Sequence, residues 1–144
     1  MANSDTIQLL KECDAGSKMA VSSIDDVIEK VCDETMLHLL QESKNHHEKL
    51  GNDLHAMLKE LGEEQKEPSV MAKGMSWMKT NVKLGMDNSD ATVADLMIDG
   101  CDMGIKSLCK YFNQYRAADE DAKKLTCRLI QIEEELRKQL QKYL

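Results

Sequence analysis

The sequence is poor in the residues that interrupt helices. Its 144 residues include one proline and seven glycines, and the aromatic residues are one tryptophan, three tyrosines and one phenylalanine. Lysine, glutamate, leucine and methionine, which favour helices, are frequent instead. The composition therefore predicts an all-α fold, and the length suits a single domain over residues 1–144.

Long apolar runs, excess positive charge and cysteine pairs are also absent from the sequence. No run approaches the ~18 apolar residues of a membrane helix, and the start, MANSDTIQLLKECD, lacks the features of a signal peptide. We therefore expect a soluble, cytoplasmic protein without membrane insertion. A formal net charge of −7 opposes binding to nucleic acid. Five cysteines without a CxxC pair indicate reduced thiols rather than a disulfide framework or a zinc ribbon.

Apolar residues recur in steps of three and four along most of the chain, as in amphipathic helices. This periodicity predicts long helices over about 5–31, 33–61, 90–116 and 119–143. A shorter helix is predicted over about 70–86. The buried seam of the second helix is predicted to be Met36, Leu40, Ser43, His47, Leu50, Leu54, Met57 and Leu61.

Residues beside the helix ends match the usual caps. Ser4 or Asp5 is predicted to cap the first helix, and Ser69 the short helix. Gly62 stands where a left-handed residue commonly ends a helix.

The phrase CDAGSK at residues 13–18 returns as CDMGIK at residues 101–106. With a shift of 86, residues of the second helix, among them Glu48 and Leu50, match Glu134 and Leu136 of the fourth. The sequence therefore contains two related helical hairpins. We expect an antiparallel four-helix bundle with one long helical crossover between the second and third helices.

The arrangement of two hairpins with a long crossover resembles the ferritin-like superfamily. The phrases LGEEQKEPS, AKGMSWMKTNVK and DLMIDGCDMGIKSL are most similar to bacterial four-helix-bundle proteins of unknown function within that superfamily, which has the rubrerythrin and ferritin fold. The resemblance covers nearly the whole chain. It implies a ferritin-like fold, and it does not imply a particular activity because these phrases form packing and turn segments.

Catalytic members of that superfamily place Glu-x-x-His pairs on the second and fourth helices, and this sequence contains no such pair. A smaller set of polar residues than in the catalytic members lies near the middle of the four predicted helices, at Asp14, His47, Asp102 and Glu133. Carboxylates and an imidazole in one layer could bind iron, manganese or zinc. These four residues are therefore the candidate metal ligands, and no catalytic residue is predicted.

Simpler interpretations of the same residues stay open. Lys18 and Lys106 follow Asp14 and Asp102 by four residues, so that each pair could face water as a surface ion pair. The repeated glycines at 16 and 104 would allow helices to approach closely.

The methionine stripe of the short helix, Met71, Met75, Met78 and Val82, has several interpretations. The stripe could pack on its own bundle, form a dimer interface with Trp77, or hold an apolar ligand.

These observations lead to two function hypotheses. The first is a non-catalytic structural or protein-interaction module that forms homo-oligomers, most simply dimers. The alternative is an iron- or manganese-binding ferritin-like protein with an atypical site in the middle of the bundle.

Overall fold

The structure, a computed structural model, describes residues 3–63 and 89–144. These residues form four α-helices and two short 3₁₀ turns, with no strand among them: α1 Ser4–Val27, the turn Ile28–Lys30, α2 Glu34–Glu60, α3 Asp90–Gln114, α4 Glu120–Leu140 and the turn Gln141–Tyr143. The predicted all-α class is confirmed. The predicted crossover helix over about 70–86, its Ser69 cap and its methionine stripe lie outside the described residues.

Each helix begins at a side chain that caps its free backbone N–H groups. Asn3 accepts from Thr6 N and caps α1, so the prediction of Ser4 or Asp5 was wrong by one or two positions. Asp33, Ser89 and Asp119 cap the other three helices in the same way. Gly62 has a φ of 72°, which confirms the predicted left-handed residue after α2.

Hydrogen bonds at the two ends of the bundle fix the direction of the helices. Asp90 accepts from the N–H groups of Cys32 and Asp33 at 2.8 and 2.9 Å, so α3 begins beside the turn between α1 and α2. Ala117 N donates to Asp5 Oδ2 at 2.9 Å, so the turn between α3 and α4 lies beside the start of α1. Consequently, α3 runs antiparallel to α1 and in the same direction as α2.

The apolar core is divided into two clusters, one toward each end of the bundle. Ile24, Met36, Leu40 and Leu140 belong to the cluster near the α1–α2 turn, and Leu9 belongs to the one near the α3–α4 turn. Between the clusters lies a set of buried polar side chains, which we call the polar layer: Asp14, Ser17, Ser43, His47 and Glu133. The helices thus place polar side chains in the middle of a core that is apolar toward both ends.

Among the described helices, we find none whose length and apolar character would allow it to cross a membrane. The first long helix gives way to a 3₁₀ turn after Val27, and the last does so after Leu140. These end effects account for most of the difference from the predicted bounds.

Candidate functional site

His47 and Glu133 form the centre of the polar layer. The His47 ring is completely buried, and its Nε2 lies 2.7 Å from Glu133 Oε1. Its Nδ1 lies 2.8 Å from the backbone oxygen of Ser43, one turn earlier in α2. The structure therefore brings together two of the four predicted candidates, from α2 and α4.

The two contacts of the imidazole determine how many protons the pair carries. A carbonyl oxygen only accepts hydrogen bonds, so Nδ1 must be protonated to donate to Ser43. The contact of Nε2 with Glu133 then needs a second proton, held either by the ring or by the carboxyl group. In both cases the pair is neutral as a unit, which limits the cost of burying it.

Cys101 on α3 is a third member of this cluster. Burial raises the pKa of its thiol most, and the charge of Glu133 together with their hydrogen bond raises it further. The thiol therefore stays protonated and donates to the carboxyl group of Glu133. Beside it, a β-carbon added at Gly104 would lie 3.6 Å from the Glu133 carboxyl group, so α3 passes close over this acid.

Asp14 lies in the same layer on α1 but has a different partner. Its side chain is 1% exposed, and Lys18 Nζ lies 3.2 Å from its Oδ2. That oxygen accepts no hydrogen bond of good geometry, so the contact with Lys18 is an ion pair without a well-aligned hydrogen bond. The idea that this pair faces water was wrong for the acid, because Asp14 is buried and only Lys18 reaches solvent.

Asp102 is not brought to the other three candidates. Its side chain is half exposed, and it accepts a hydrogen bond from Arg137 Nε on α4. The spacing of four residues suggested Lys106 as its partner, and the structure gives Arg137 instead. The prediction that Asp102 shares a layer with Asp14, His47 and Glu133 was therefore wrong. Metal binding by this set stays a prediction.

A narrow opening between α1 and α3 leads down to the His47–Glu133 pair. Small residues form part of its walls, beside larger ones such as Met19 and Tyr111, and Glu133, Leu129 and Leu136 of α4 form part of its floor. We call this opening the α1–α3 cleft and define its walls by Gly16, Ala20 and Ser23 on α1 and by Gly100, Gly104 and Ser107 on α3. Glu12, which is 8% exposed, also lines it.

Sequence reasoning missed several polar members of the core. Glu12 was not predicted, and neither was the contact of 3.2 Å between the Cys13 thiol and the Thr126 hydroxyl. Thr126 stands one turn from the apolar Ala122 and Leu129 on the buried face of α4. A polar residue in an apolar seam was the signal that could have identified it.

The other three histidines of α2 lie on its exposed face. His38, His46 and His55 are all exposed, and His46 is only 4.0 Å from Glu42, one turn earlier on the same helix. Within residues 3–63 and 89–144, no group of three or more histidine, cysteine or acidic side chains has the geometry of a metal site.

Comparison of the chain with protein-family models, with curated proteins and with solved structures finds no match.

Proposed function

We propose that this chain is a ferritin-like four-helix bundle that works as a non-catalytic structural or protein-interaction module and associates with itself. The observation that carries the proposal is that three polar side chains in the middle of the bundle, His47, Glu133 and Cys101, bond to one another. Both ring nitrogens of His47 have hydrogen-bond partners within the protein, and Glu133 is bonded to His47 and Cys101. A layer of this kind favours one alignment of four helices over others.

The direction of the helices supports the ferritin-like connection. The end of α2 lies at the start of α1, where Glu63 and Lys11 form an ion pair at 2.9 Å. The start of α3 lies at the opposite end, where Asp90 binds the α1–α2 turn. Residues 64–88 therefore have to connect opposite ends of the bundle, as one long crossover would.

An exposed apolar side chain favours self-association. Met103 on α3 is 49% exposed, and among the described residues only Leu144 joins it as a large exposed apolar side chain. Exposed methionines adapt to varied partner surfaces. In the proposed dimer, Met103 lies at the contact between the two copies.

Light scattering coupled to size exclusion tests this part of the proposal. We expect a mass of two 16.3 kDa chains for the wild type, and a shift toward one chain for Met103→Lys. Gln131→Lys, which adds the same charge on the exposed face of α4, is the matched control and should leave the mass unchanged. A mass of one chain at every concentration would contradict self-association.

Metal binding is the second candidate, and one observation favours it. Glu12, His47, Cys101 and Glu133, one side chain from each helix, line the same cleft. Carboxylate and imidazole groups suit iron and manganese, and thiolate suits zinc. In the described arrangement His47 and Cys101 both bond to Glu133, and the set does not fit a metal ion because His47 Nε2 and Glu133 Oε1 are in direct contact.

Elemental analysis separates the two candidates. The purified protein is incubated anaerobically with ferrous iron or manganese, freed of unbound metal and normalised to protein concentration. We expect substoichiometric metal. Near-stoichiometric metal that is lost in Glu133→Gln and kept in Asp102→Asn would overturn the first candidate in favour of the second.

A further inference from the structure

The solvent-facing side of α3 carries opposite charges in its two halves. We call it the α3 face and define it by Asp95, Asp99, Met103, Lys106 and Lys110. Both acids precede the methionine, and both lysines follow it. We propose that two copies of the chain associate through this face, with their α3 helices antiparallel and related by a twofold axis. This inference rests on the self-association proposed above, for which it gives the surface and the symmetry.

The members of the α3 face form one continuous strip. They follow one another at steps of four, four, three and four, which places them on one side of a helix, and all five are exposed. The opposite side of α3 is buried in the bundle through Ala94, Cys101 and Leu108. From Asp95 to Lys110 the strip is about 22 Å long at 1.5 Å per residue. A second helix can therefore lie along it over several turns.

The charges of the α3 face are not neutralised within the described part of the chain. None of its acids or lysines forms a salt bridge with another residue of 3–63 or 89–144. Asp95 and Asp99 are four residues apart, as are Lys106 and Lys110, and like charges at this spacing repel each other. Partial burial raises the pKa of Asp99, and the charges of Asp95 and Asp102 raise it further. Opposite charges from outside would relieve both repulsions.

The helix dipole accounts for only part of this distribution of charge. Acids near the start of a helix and bases near its end are stabilised by the dipole, but the effect falls off within the first and last turns. Asp99 lies nine residues after Asp90, the first residue of α3, and Lys106 lies eight residues before Gln114, the last. These two inner charges are therefore too far from the helix ends for the dipole to explain them.

A single twofold axis pairs every charge of the α3 face. In an antiparallel pair of identical helices, residues equally far from the axis on opposite sides face each other. If Asp99 faces Lys106 of the second copy, the axis passes between residues 102 and 103. Asp95 and Lys110 are centred on the same point, so they face each other in the same register. The dimer then contains four pairs of opposite charge.

The same axis places the exposed methionine at the centre of the contact. Met103 is 49% exposed and lies next to the axis, so the methionines of the two copies meet there. A parallel arrangement in register would instead bring acids against acids and lysines against lysines, which repel. Complementary charge of this kind determines orientation and register more than it determines affinity. The α3 face therefore favours one antiparallel alignment of the two copies.

The dependence of dimerisation on salt is the first measurement. Analytical ultracentrifugation of the full chain gives the dissociation constant at about 50 mM and about 500 mM sodium chloride. We expect the constant to rise roughly tenfold or more at the higher concentration, because salt screens exposed ion pairs. A constant that is unchanged or smaller at the higher concentration would overturn a contact held by these charges.

Charge reversal tests the pairing itself. Asp99→Lys and Lys106→Asp each place like charges against each other twice in the dimer, so each variant alone should be a monomer where the wild type is a dimer. An equimolar mixture of the two variants should recover the dimer, because each copy then presents the charge that the other needs. Asp95→Lys and Lys110→Asp form a second pair of variants with the same expected behaviour, which carries the test if either of the first two does not fold.

Matched controls make the same changes of charge on another helix. Asp53→Lys and Lys49→Asp alter the exposed face of α2 and should leave the dimer intact. A dimer that persists in Asp99→Lys and in Lys106→Asp would overturn the α3 face as the contact and leave self-association standing. Monomeric variants whose mixture is also monomeric would overturn the antiparallel pairing. A wild type that is a monomer at every concentration would overturn both proposals and leave the α3 face to a different protein.

Discussion

The α1–α2 and α3–α4 hairpins place the same phrase, Cys-Asp-x-Gly-x-Lys, in different surroundings. In the first hairpin Asp14 is buried, whereas in the second Asp102 is half exposed. The shift of 86 that relates α2 to α4 pairs Gly51 with Arg137. A β-carbon on Gly51 would lie only 3.0 Å from Ser17 Oγ, so α2 passes close to α1 there. In the second hairpin, Arg137 occupies the equivalent position and draws Asp102 outward.

The environment of each repeated acid depends on one residue of the partner helix, Gly51 for Asp14 and Arg137 for Asp102. Without a side chain at position 51, α2 covers Asp14 and leaves it Lys18 as a partner. With a long guanidinium side chain at position 137, the acid forms a surface pair instead. The acids of the two copies therefore differ: Asp14 is buried beside Lys18, and Asp102 forms an exposed ion pair with Arg137.

At one pair of equivalent positions, the two hairpins carry different residues that bond to each other. His47 and Glu133 are 86 residues apart, which is the shift that relates α2 to α4, and they bond to each other at 2.7 Å. Two identical residues at these positions, two histidines or two acids, would have repelled each other when charged. The difference between the copies therefore creates the bond that joins them.

Breaking this bond should have the largest effect on stability. Glu133→Leu removes the partner of His47 Nε2 and leaves a buried polar ring atom without a hydrogen bond. We expect the free energy of unfolding to fall by about 3 kcal/mol. Urea denaturation followed by circular dichroism measures this change.

The double variant His47→Leu/Glu133→Leu is the control for that measurement. Because both polar partners are then replaced by apolar side chains, most of the lost stability should return. A double variant as unstable as the sum of the single variants would show that the two side chains act independently.

Substitution of the glycines between α1 and α2 should have an intermediate effect on stability. Gly51→Ala would press against Ser17 Oγ, which is buried and donates to the backbone oxygen of Asp14 at 2.9 Å. We expect a loss of about 1 kcal/mol, since disturbing this hydrogen bond outweighs the better helix propensity of alanine. The measurement is the midpoint of urea denaturation.

Gly16→Ala is the matched substitution on α1. A β-carbon there would lie 3.9 Å from the Leu129 side chain, an ordinary contact. We therefore expect a gain of up to about 1 kcal/mol from helix propensity. Equal effects of Gly16→Ala and Gly51→Ala would mean that α1 and α2 do not approach as closely as described.

The surface pair of the second hairpin should contribute least. Arg137→Ala removes the contact with Asp102, and both side chains are at least 40% exposed. We expect a loss below about 1 kcal/mol in low salt that disappears in 1 M salt, because exposed charges are screened. The effect of Glu133→Leu should persist in 1 M salt, and a persistent effect of Arg137→Ala would contradict the surface character of its pair.

Hydrophobic periodicity predicted much of the fold correctly. Six of the eight residues assigned to the seam of α2, from Met36 through Leu54, are buried, and they include Ser43 and His47. Asp14, which was predicted near the middle of the first helix as a candidate ligand, is likewise buried. These positions were predictable because a seam depends on residue spacing within one helix.

The partners of the polar residues were not predictable in the same way. Asp102 bonds to Arg137 and not to Lys106, because α4 supplies a longer donor across the helix interface than α3 supplies to itself. Glu12 faces the cleft through the rotation of α1, which spacing leaves uncertain by about one position. Contacts between helices depend on how each helix is rotated, and no single helix contains that information.

Hydrogen bonds at both ends of the bundle hold the two hairpins together. Asp90 binds Cys32 and Asp33 at one end, and Asp5 and Asn3 bind Ala117 at the other. All of these join one hairpin to the other without a peptide link between them. A chain cut between residues 64 and 88 would thus retain two fragments with matching ends, suited to reassembly as a heterodimer.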